Sequence, residues 1–385
     1  MRVLPSIGCT APVFSKPIAR TCMQVPLNDL RRVHAPHASA LRAAYERVFS
    51  RGAFVLGDEV RAFEQEFAAY CGTRECIGVA NGSDALELAL RALGVSTGDR
   101  VATVANAAMY STLAIRATGA RPVYVDVDEA TLTMSPAALE ALPSGTLHAL
   151  VVTHLYGRLA DTGQIVAYAR ERGIPVIEDC AQAHGAERDG TRAGAFGSLA
   201  TFSFYPTKNL GALGDGGAIA TSDAALADTV RELRQYGWRG KYRVDREGGR
   251  NSRLDELQAA FLRAKLPSLD RENARRRDIV NRYAKDIRHP DIRSPLPAGS
   301  DSVSHLAVIR TPHREALRAH LSERGVATDI HYPIADHRQR VSNAADVKLP
   351  VSERACSEVL SLPCFPAMTD AEADAVIEAC NAWRR

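Results

Sequence analysis

This chain of 385 residues lacks the marks of several protein classes. It has no apolar run long enough to cross a bilayer, which argues against a membrane protein. Positive charge barely exceeds negative, with a net charge of +3, and no recognised reader motif appears. A nucleic-acid partner is therefore not expected. None of its eight cysteines sits in a CxxC pair. Scattered thiols in a chain of this length read as reduced, which points to a cytoplasmic setting and to no metal site. Repeats of 20–50 residues and low-complexity tracts are missing as well. The first 22 residues hold no acidic side chain and no continuous apolar core, so they do not read as a secretory signal. They read as a disordered extension ahead of a working start near Met23, with an organelle leader as the alternative.

What is present is a composition for a large core, 46% hydrophobic and 24% charged, fit for one big domain and a smaller one. Seven short apolar, β-rich segments are predicted strands: 76–80, 100–104, 121–127, 148–153, 174–179, 199–204 and 217–221. Helical patterns fall between several of them, as at 82–94, where Leu86, Leu90 and Leu93 share a face, at 110–118, and at 161–173, which Gly173 stops. Alternation over some 150 residues predicts an α/β fold with a mostly parallel sheet covered on both faces. Beyond Thr221 the pattern turns helical, with two helices over 253–287 broken at Pro267. The expected division is a large domain over 23–265 and a smaller α+β domain over 266–385, joined by a segment from near the N-terminus.

The chemistry is concentrated in three stretches. "SFYPTKNLGALGDGG" (203–217) sets Lys208 between a strand end and the glycines at 211, 214, 216 and 217, whose bare backbone can pass close to the amine. A serine hydroxyl at Ser203 and an amine five residues on can grip one ligand by a phosphate and a carbonyl, the two handles of pyridoxal phosphate. An incidental lysine in a glycine-rich hairpin is the plain alternative. "IEDCAQAHG" (177–185) ends a buried strand on Asp179, where parallel sheets present ligand-binding residues. An anion there would keep a pyridine nitrogen protonated, and alternation turns Glu178 to the other face. In "NGSDALELAL", Gly82 and Ser83 open a helix after a strand, an anion-binding position; a simple serine N-cap is the rival reading. His184 reads as structural. The segment 237–253 carries six cations against Asp245 and Glu247. It reads either as a contact for the diphosphate of a nucleotide-linked sugar, through Lys241 and Tyr242, or as a solvated loop.

Together with "FVLGDEVRAFEQEFAAYCG", "GARPVYVDVD", "HLYGRLAD", "GRNSRLDELQAAFLRAKL", "HYP" and "LSLPCFPAM", these stretches resemble the DegT/DnrJ/EryC1/StrS sugar aminotransferases, fold-type I pyridoxal-phosphate enzymes. The resemblance runs from about Met23 to the end. It implies that Lys208 bonds the cofactor, Asp179 holds its ring nitrogen and Gln182 lies by its ring hydroxyl. It implies a phosphate grip of Gly82, Ser83 and Ser203, with Asn251 reaching in from the neighbouring subunit of a homodimer. His331 and Tyr332 of "HYP" fall near the sugar. The position of the family's ring-stacking aromatic is Ala108, with Met109 and Tyr110 as the neighbours able to cover the ring. The implied activity is amino transfer from glutamate or glutamine to a keto-sugar, nucleotide-linked and deoxy. A keto-cyclitol acceptor, a sugar dehydration and a non-catalytic sugar-binding regulator are the alternatives. Lys208 speaks against dehydration, because the dehydrating branch has histidine there. "GALGDGG" precedes a strand instead of opening a helix, so a dinucleotide-binding oxidoreductase does not fit.

Overall fold

The computed structural model describes residues 23–142, 145–342, 344 and 346–384. The expected extension over 1–22 lies outside the described residues. The seven expected strands all form: β1 (Glu75–Val79), β2 (Arg100–Val104), β3 (Arg121–Val125), β4 (Ala149–Thr153), β5 (Val176–Asp179), β6 (Leu199–Ser203) and β7 (Gly217–Thr221). They make one sheet in the order β1-β7-β6-β5-β4-β2-β3. Neighbours from β3 through β6 pair in parallel, while β7 runs antiparallel to both β6 and β1. Alternate residues feed two cores. Ile77, Val101, Val151, Ile177 and Leu199 pack with helices on one face. Cys76, Ala200 and Phe202 on one side of the other face, and Ala102, Leu150 and Val152 on its far side, pack on that face. This is the sandwiched parallel sheet that apolar strands without a polar face require.

Helix α1 (Gly82–Ala92) follows β1, α2 (Tyr110–Ala117) follows β2 and α3 (Thr162–Glu171) follows β4. The leucine stripe of α1 understates its burial. Leu86 and Leu90 are buried, but so are Leu88 and Glu87, the latter held by Arg91 and Arg250. The break at Pro267 is real: α4 (Glu256–Lys265) ends, a turn of 3-10 helix spans Leu266–Ser268, and α5 (Leu269–Asp286) begins. Proline fits the first turn of a helix and not its interior, so the chain restarts there. Helix α5 runs from one core into another, with Leu269 in the first and Ile279, Val280 and Tyr283 in the second. This second core also takes Val25, and Ile309 and Leu360 from the antiparallel pair β8 (Ala307–Arg310) and β9 (Val359–Leu362). The N-terminal segment thus packs with the C-terminal one. No described helix is long and apolar enough to cross a membrane.

Candidate active site

Strand ends and helix starts meet at the carboxyl edge of the sheet, around a cavity of about 560 Å³ whose walls include Gly82, Ser83, Tyr110, Asp179, Ser203 and Lys208. Three segments far apart in the chain are brought to one place by topology, since β1, β5 and β6 all point their C-termini here.

Ser203 closes β6. Phe202 and Phe204 on either side of it are fully buried behind the sheet, packed edge-on against Phe67, so alternation sends the serine to the front. Opposite stands the start of α1. The cap is Asn81, whose side chain accepts from the Asp84 N–H at 2.8 Å. The serine-cap reading of Ser83 is therefore corrected: Ser83 lies inside the first turn, and its hydroxyl is not spent on capping. Gly82 is demanded by proximity, since a Cβ there would meet Ser203 Cβ at 2.7 Å. Two hydroxyls and the unpaired N–H groups of a helix start form a seat for a phosphate.

Asp179 ends β5 and is buried. Its Oδ1 accepts the Ala181 N–H at 3.2 Å. Its Oδ2 takes the Thr153 hydroxyl at 3.4 Å and the Ser111 hydroxyl at 3.5 Å. Burial raises its carboxyl above the usual carboxylate range, against the pull of the Ala181 N–H and the Lys208 amine. Burial lowers Lys208 to about 8, with the Asp179 charge opposing. Among the described residues the Lys208 ammonium forms no hydrogen bond. An amine near neutrality, without a fixed partner and facing a carboxylate across a cavity, is set up for chemistry.

Lys208 is held through its neighbour. Asn209 Nδ2 donates to Asn273 Oδ1 at 2.8 Å and to the Val303 carbonyl at 3.0 Å, and its Oδ1 is 2.9 Å from His305 Nδ1. Asn273, on α5, also donates to the His184 carbonyl at 2.8 Å. One buried asparagine thus ties the lysine turn to the segment carrying Gln182. The glycine run acts differently from expectation. A Cβ at Gly211 would meet the Pro206 carbonyl at 2.4 Å and one at Gly217 the Asn81 carbonyl at 2.4 Å, while those at 214 and 216 would press on Gln258 and Leu254. The glycines allow close packing of the lysine turn, not approach to the amine itself.

Glu178 faces away, as alternation requires. It accepts N–H groups of Gly194, Phe196 and Gly197 and lies 3.0 Å from His154 Nε2. His154, Glu178 and Cys180 gather potential metal donors. The Glu178 oxygens are engaged by those backbone donors, and His154 Nδ1 takes the Ala160 N–H at 3.1 Å. His184 packs against Phe202 and Phe204, and burial drives it down to about 3, so it stays neutral.

Of the remaining candidates only Tyr110 is among the residues lining the cavity. Gln182 is buried; its Oε1 accepts the Tyr156 N–H at 2.6 Å and its Nε2 donates to the Tyr332 hydroxyl at 3.1 Å. His331 Nδ1 is 2.8 Å from Ser361 Oγ. Tyr110 and Tyr332 meet edge-on at 6.3 Å. Ala108 and Met109 do not reach the cavity walls. Lys241, Tyr242 and Asn251 are exposed and lie outside this cavity, the lysine 5.2 Å over the tyrosine ring. Three of the six cations of 237–253 are already paired: Arg243 with Asp245, Arg246 with Glu232, and Arg250 with Asp84 and Glu87. Thr153, Ser111, Asn273 and His305 were not singled out by sequence, because nothing local marks them.

The residues present fit pyridoxal phosphate: a phosphate seat, a carboxylate and an amine lie around one cavity, and the seat is closed to any side chain at Gly82. The comparisons agree. The chain is 45% identical over 361 residues to the dTDP-3-amino-3,6-dideoxy-alpha-D-galactopyranose transaminase of Aneurinibacillus thermoaerophilus, covering 93% of this chain and 99% of that one. It superposes with a TM-score of 0.90 on Streptomyces venezuelae DesV in complex with a ketimine intermediate, at 42% identity, covering 94% of this chain and 98% of that one. On the Bacillus subtilis NtdA structure with bound cofactor PMP the TM-score is 0.87, at 30% identity, covering 94% and 85%. With the family's model matching residues 37–381, the chain belongs to the DegT/DnrJ/EryC1/StrS aminotransferase family and depends on pyridoxal phosphate.

Proposed function

We propose that this aminotransferase moves an amino group from glutamate or glutamine onto a keto-sugar carried by a nucleotide. The observation that carries the reading is the pairing of Lys208 and Asp179 beside the Ser83–Ser203 seat. The names of the relatives, among them a transaminase of a dTDP-linked amino sugar, support the substrate class.

When bound, the cofactor supplies a carbonyl that bonds an amine and a ring that accepts electrons. Ser83, Ser203 and the first N–H groups of α1 hold the phosphate. Asp179 holds a proton on the ring nitrogen. Lys208 Nζ would carry the proton between the substrate carbon that bears the nitrogen and the cofactor's carbonyl carbon, off the donor's α-carbon in one half-reaction and onto the keto-sugar's carbon in the other. In the cofactor-free protein burial lowers this amine to about 8, so a larger share of it is neutral at pH 7 than of an ordinary lysine. Tyr332, which accepts a hydrogen bond from Gln182, and His331 are the side chains this reading assigns to the sugar.

The working unit in this reading is a homodimer, in which Asn251 of the partner subunit completes the phosphate seat and Lys241 and Tyr242 reach the nucleotide. Exposed aromatics support it: Tyr110 and Tyr205 on the cavity wall and Phe49 and Phe54 nearer the N-terminus are each about half exposed. Where such side chains lie together they mark an interface. A cytoplasmic setting is part of the proposal, in keeping with six buried, unpaired cysteines among the described residues.

The test is amino transfer from glutamate and glutamine to a panel of nucleotide-linked keto-sugars, unlinked keto-sugars and keto-inositols. Transfer to a nucleotide-linked acceptor is expected. Transfer only to a keto-inositol, or loss of water without amination, would overturn the substrate assignment.

A further inference from the structure

Helix α2 begins without a cap of its own. Its N-cap residue is Met109, and no side-chain cap hydrogen bond forms there. The approach is also constrained, because Ala108 and Met109 both take left-handed backbone, with φ of 59° and 66°. Residues with a Cβ hold that conformation only where the surroundings over-determine it.

Asp336, more than 200 residues away in sequence, holds this helix start from outside. It is 1% exposed. Its Oδ1 accepts the Met109 N–H at 2.8 Å and its Oδ2 accepts the Thr112 hydroxyl at 2.7 Å. Its own N–H donates to the Ala105 carbonyl at 2.6 Å, so the strained turn is gripped at both ends. Further along α2, Arg116 donates to the carbonyls of Val341 and Ser342, just past Asp336 in the chain. Among the described residues no arginine or lysine pairs with Asp336. Burial raises its carboxyl to about 6, and the Thr112 and Met109 hydrogen bonds oppose the rise. The positive end of α2 is the charge it faces.

The two residues set in place by this grip are those that α2 sends to the site. Tyr110 lines the cavity with Lys208 and Asp179. Ser111 is the hydroxyl 3.5 Å from Asp179 Oδ2. Ala108, by contrast, is not on the cavity wall, and its methyl has no ring to offer.

We infer that Asp336 is a positioning residue for the cofactor: by gripping the Met109 N–H and the Thr112 hydroxyl, it holds the start of α2 so that Tyr110 covers the ring from a position two residues beyond Ala108. The inference rests on the pyridoxal-phosphate reading of the cavity. Ala181, whose N–H binds Asp179 and which lines the same cavity, is the small residue left for the opposite face.

The experiment uses the full chain freed of cofactor and titrated with pyridoxamine phosphate, which has no carbonyl and cannot bond to Lys208. Wild type, Tyr110→Ala, Tyr110→Phe, Asp336→Ala and the Tyr110→Ala/Asp336→Ala pair are compared, with melting temperature read alongside. Tyr110→Ala and Asp336→Ala should each weaken binding by about threefold to tenfold, the range of an aromatic contact. Tyr110→Phe should stay within about twofold. The pair should lose little more than the larger single loss, because one residue acts through the other. Thr112→Val, which removes one of the two hydrogen bonds and keeps the side chain's shape, should show a smaller loss that vanishes in the Tyr110→Ala background. It carries the test if Asp336→Ala does not fold. Unchanged affinity in Asp336→Ala or Thr112→Val, with only the melting temperature lowered, overturns the inference, as do losses that multiply in the double variant. A wild type that does not bind pyridoxamine phosphate would instead remove the cofactor reading, and the inference with it.

Discussion

The lowered Lys208 carries a stability cost that one substitution removes. In the cofactor-free protein, burial brings this amine from 10.5 to about 8. The difference corresponds to roughly 3 kcal/mol at pH 7, where both folded and unfolded chains must carry the charge. Lys208→Met keeps the length of the side chain and removes the charge. The cofactor-free variant is expected to be more stable than wild type at pH 7 by up to about 3 kcal/mol. Between pH 8 and 10.5 the unfolded wild-type chain binds the proton that the folded chain has lost, so wild-type stability rises with pH across that window. The variant has nothing to titrate there, and its advantage should shrink toward zero. Urea unfolding of both proteins at pH 7, 8.5 and 10, at one protein concentration, reads the difference, since groups away from the cavity titrate alike in both. A variant no more stable than wild type at pH 7, or an advantage that does not narrow with pH, would refute the idea that burial sets this amine.

Three more expectations follow from the same geometry. Asp179→Asn removes the charge that opposes the lowering of Lys208, so the amine of the cofactor-free enzyme should titrate below about 8, visible by NMR of isotopically methylated lysines; turnover should fall by about a hundredfold or more. Glu178→Gln leaves three backbone N–H groups facing an amide and should cost about 3 kcal/mol in urea unfolding, whereas a loss under 1 kcal/mol would mean that the buried clamp contributes little. Ser203→Ala should raise the dissociation constant of pyridoxamine phosphate by about tenfold, the worth of a hydrogen bond to a charged group, and leave that of unphosphorylated pyridoxamine unchanged.

What could be read from the chain was local and periodic. Strands β1 to β7 are short apolar runs between turn residues, and all seven formed within three residues of expectation. Asp179 and Glu178 were separated by alternation alone, and the structure places them on opposite faces of β5. The break at Pro267 needed only the chemistry of proline. What escaped is non-local. Asp336 lies 227 residues from Met109, and Asn273 lies 64 from Asn209, so no window of sequence contains either pair. Ser83 as the cap of α1 stood as a rival reading because Asn81 and Ser83 are both good caps, and only the backbone decides between them. The glycines of 211–217 read as letting backbone pass close to the amine, but what they admit is a carbonyl or a neighbouring side chain brought by the fold.

Two buried lysines compete for the central role, because Lys265 is also lowered to about 8 by burial, yet it donates to the Gly211 carbonyl at 2.5 Å instead of lining the cavity. Borohydride reduction of the enzyme loaded with pyridoxal phosphate, followed by digestion and mass analysis of the labelled peptide, separates them. A single adduct on Lys208, missing in Lys208→Ala, is the predicted result. An adduct on Lys265, or none at Lys208, would contradict the account.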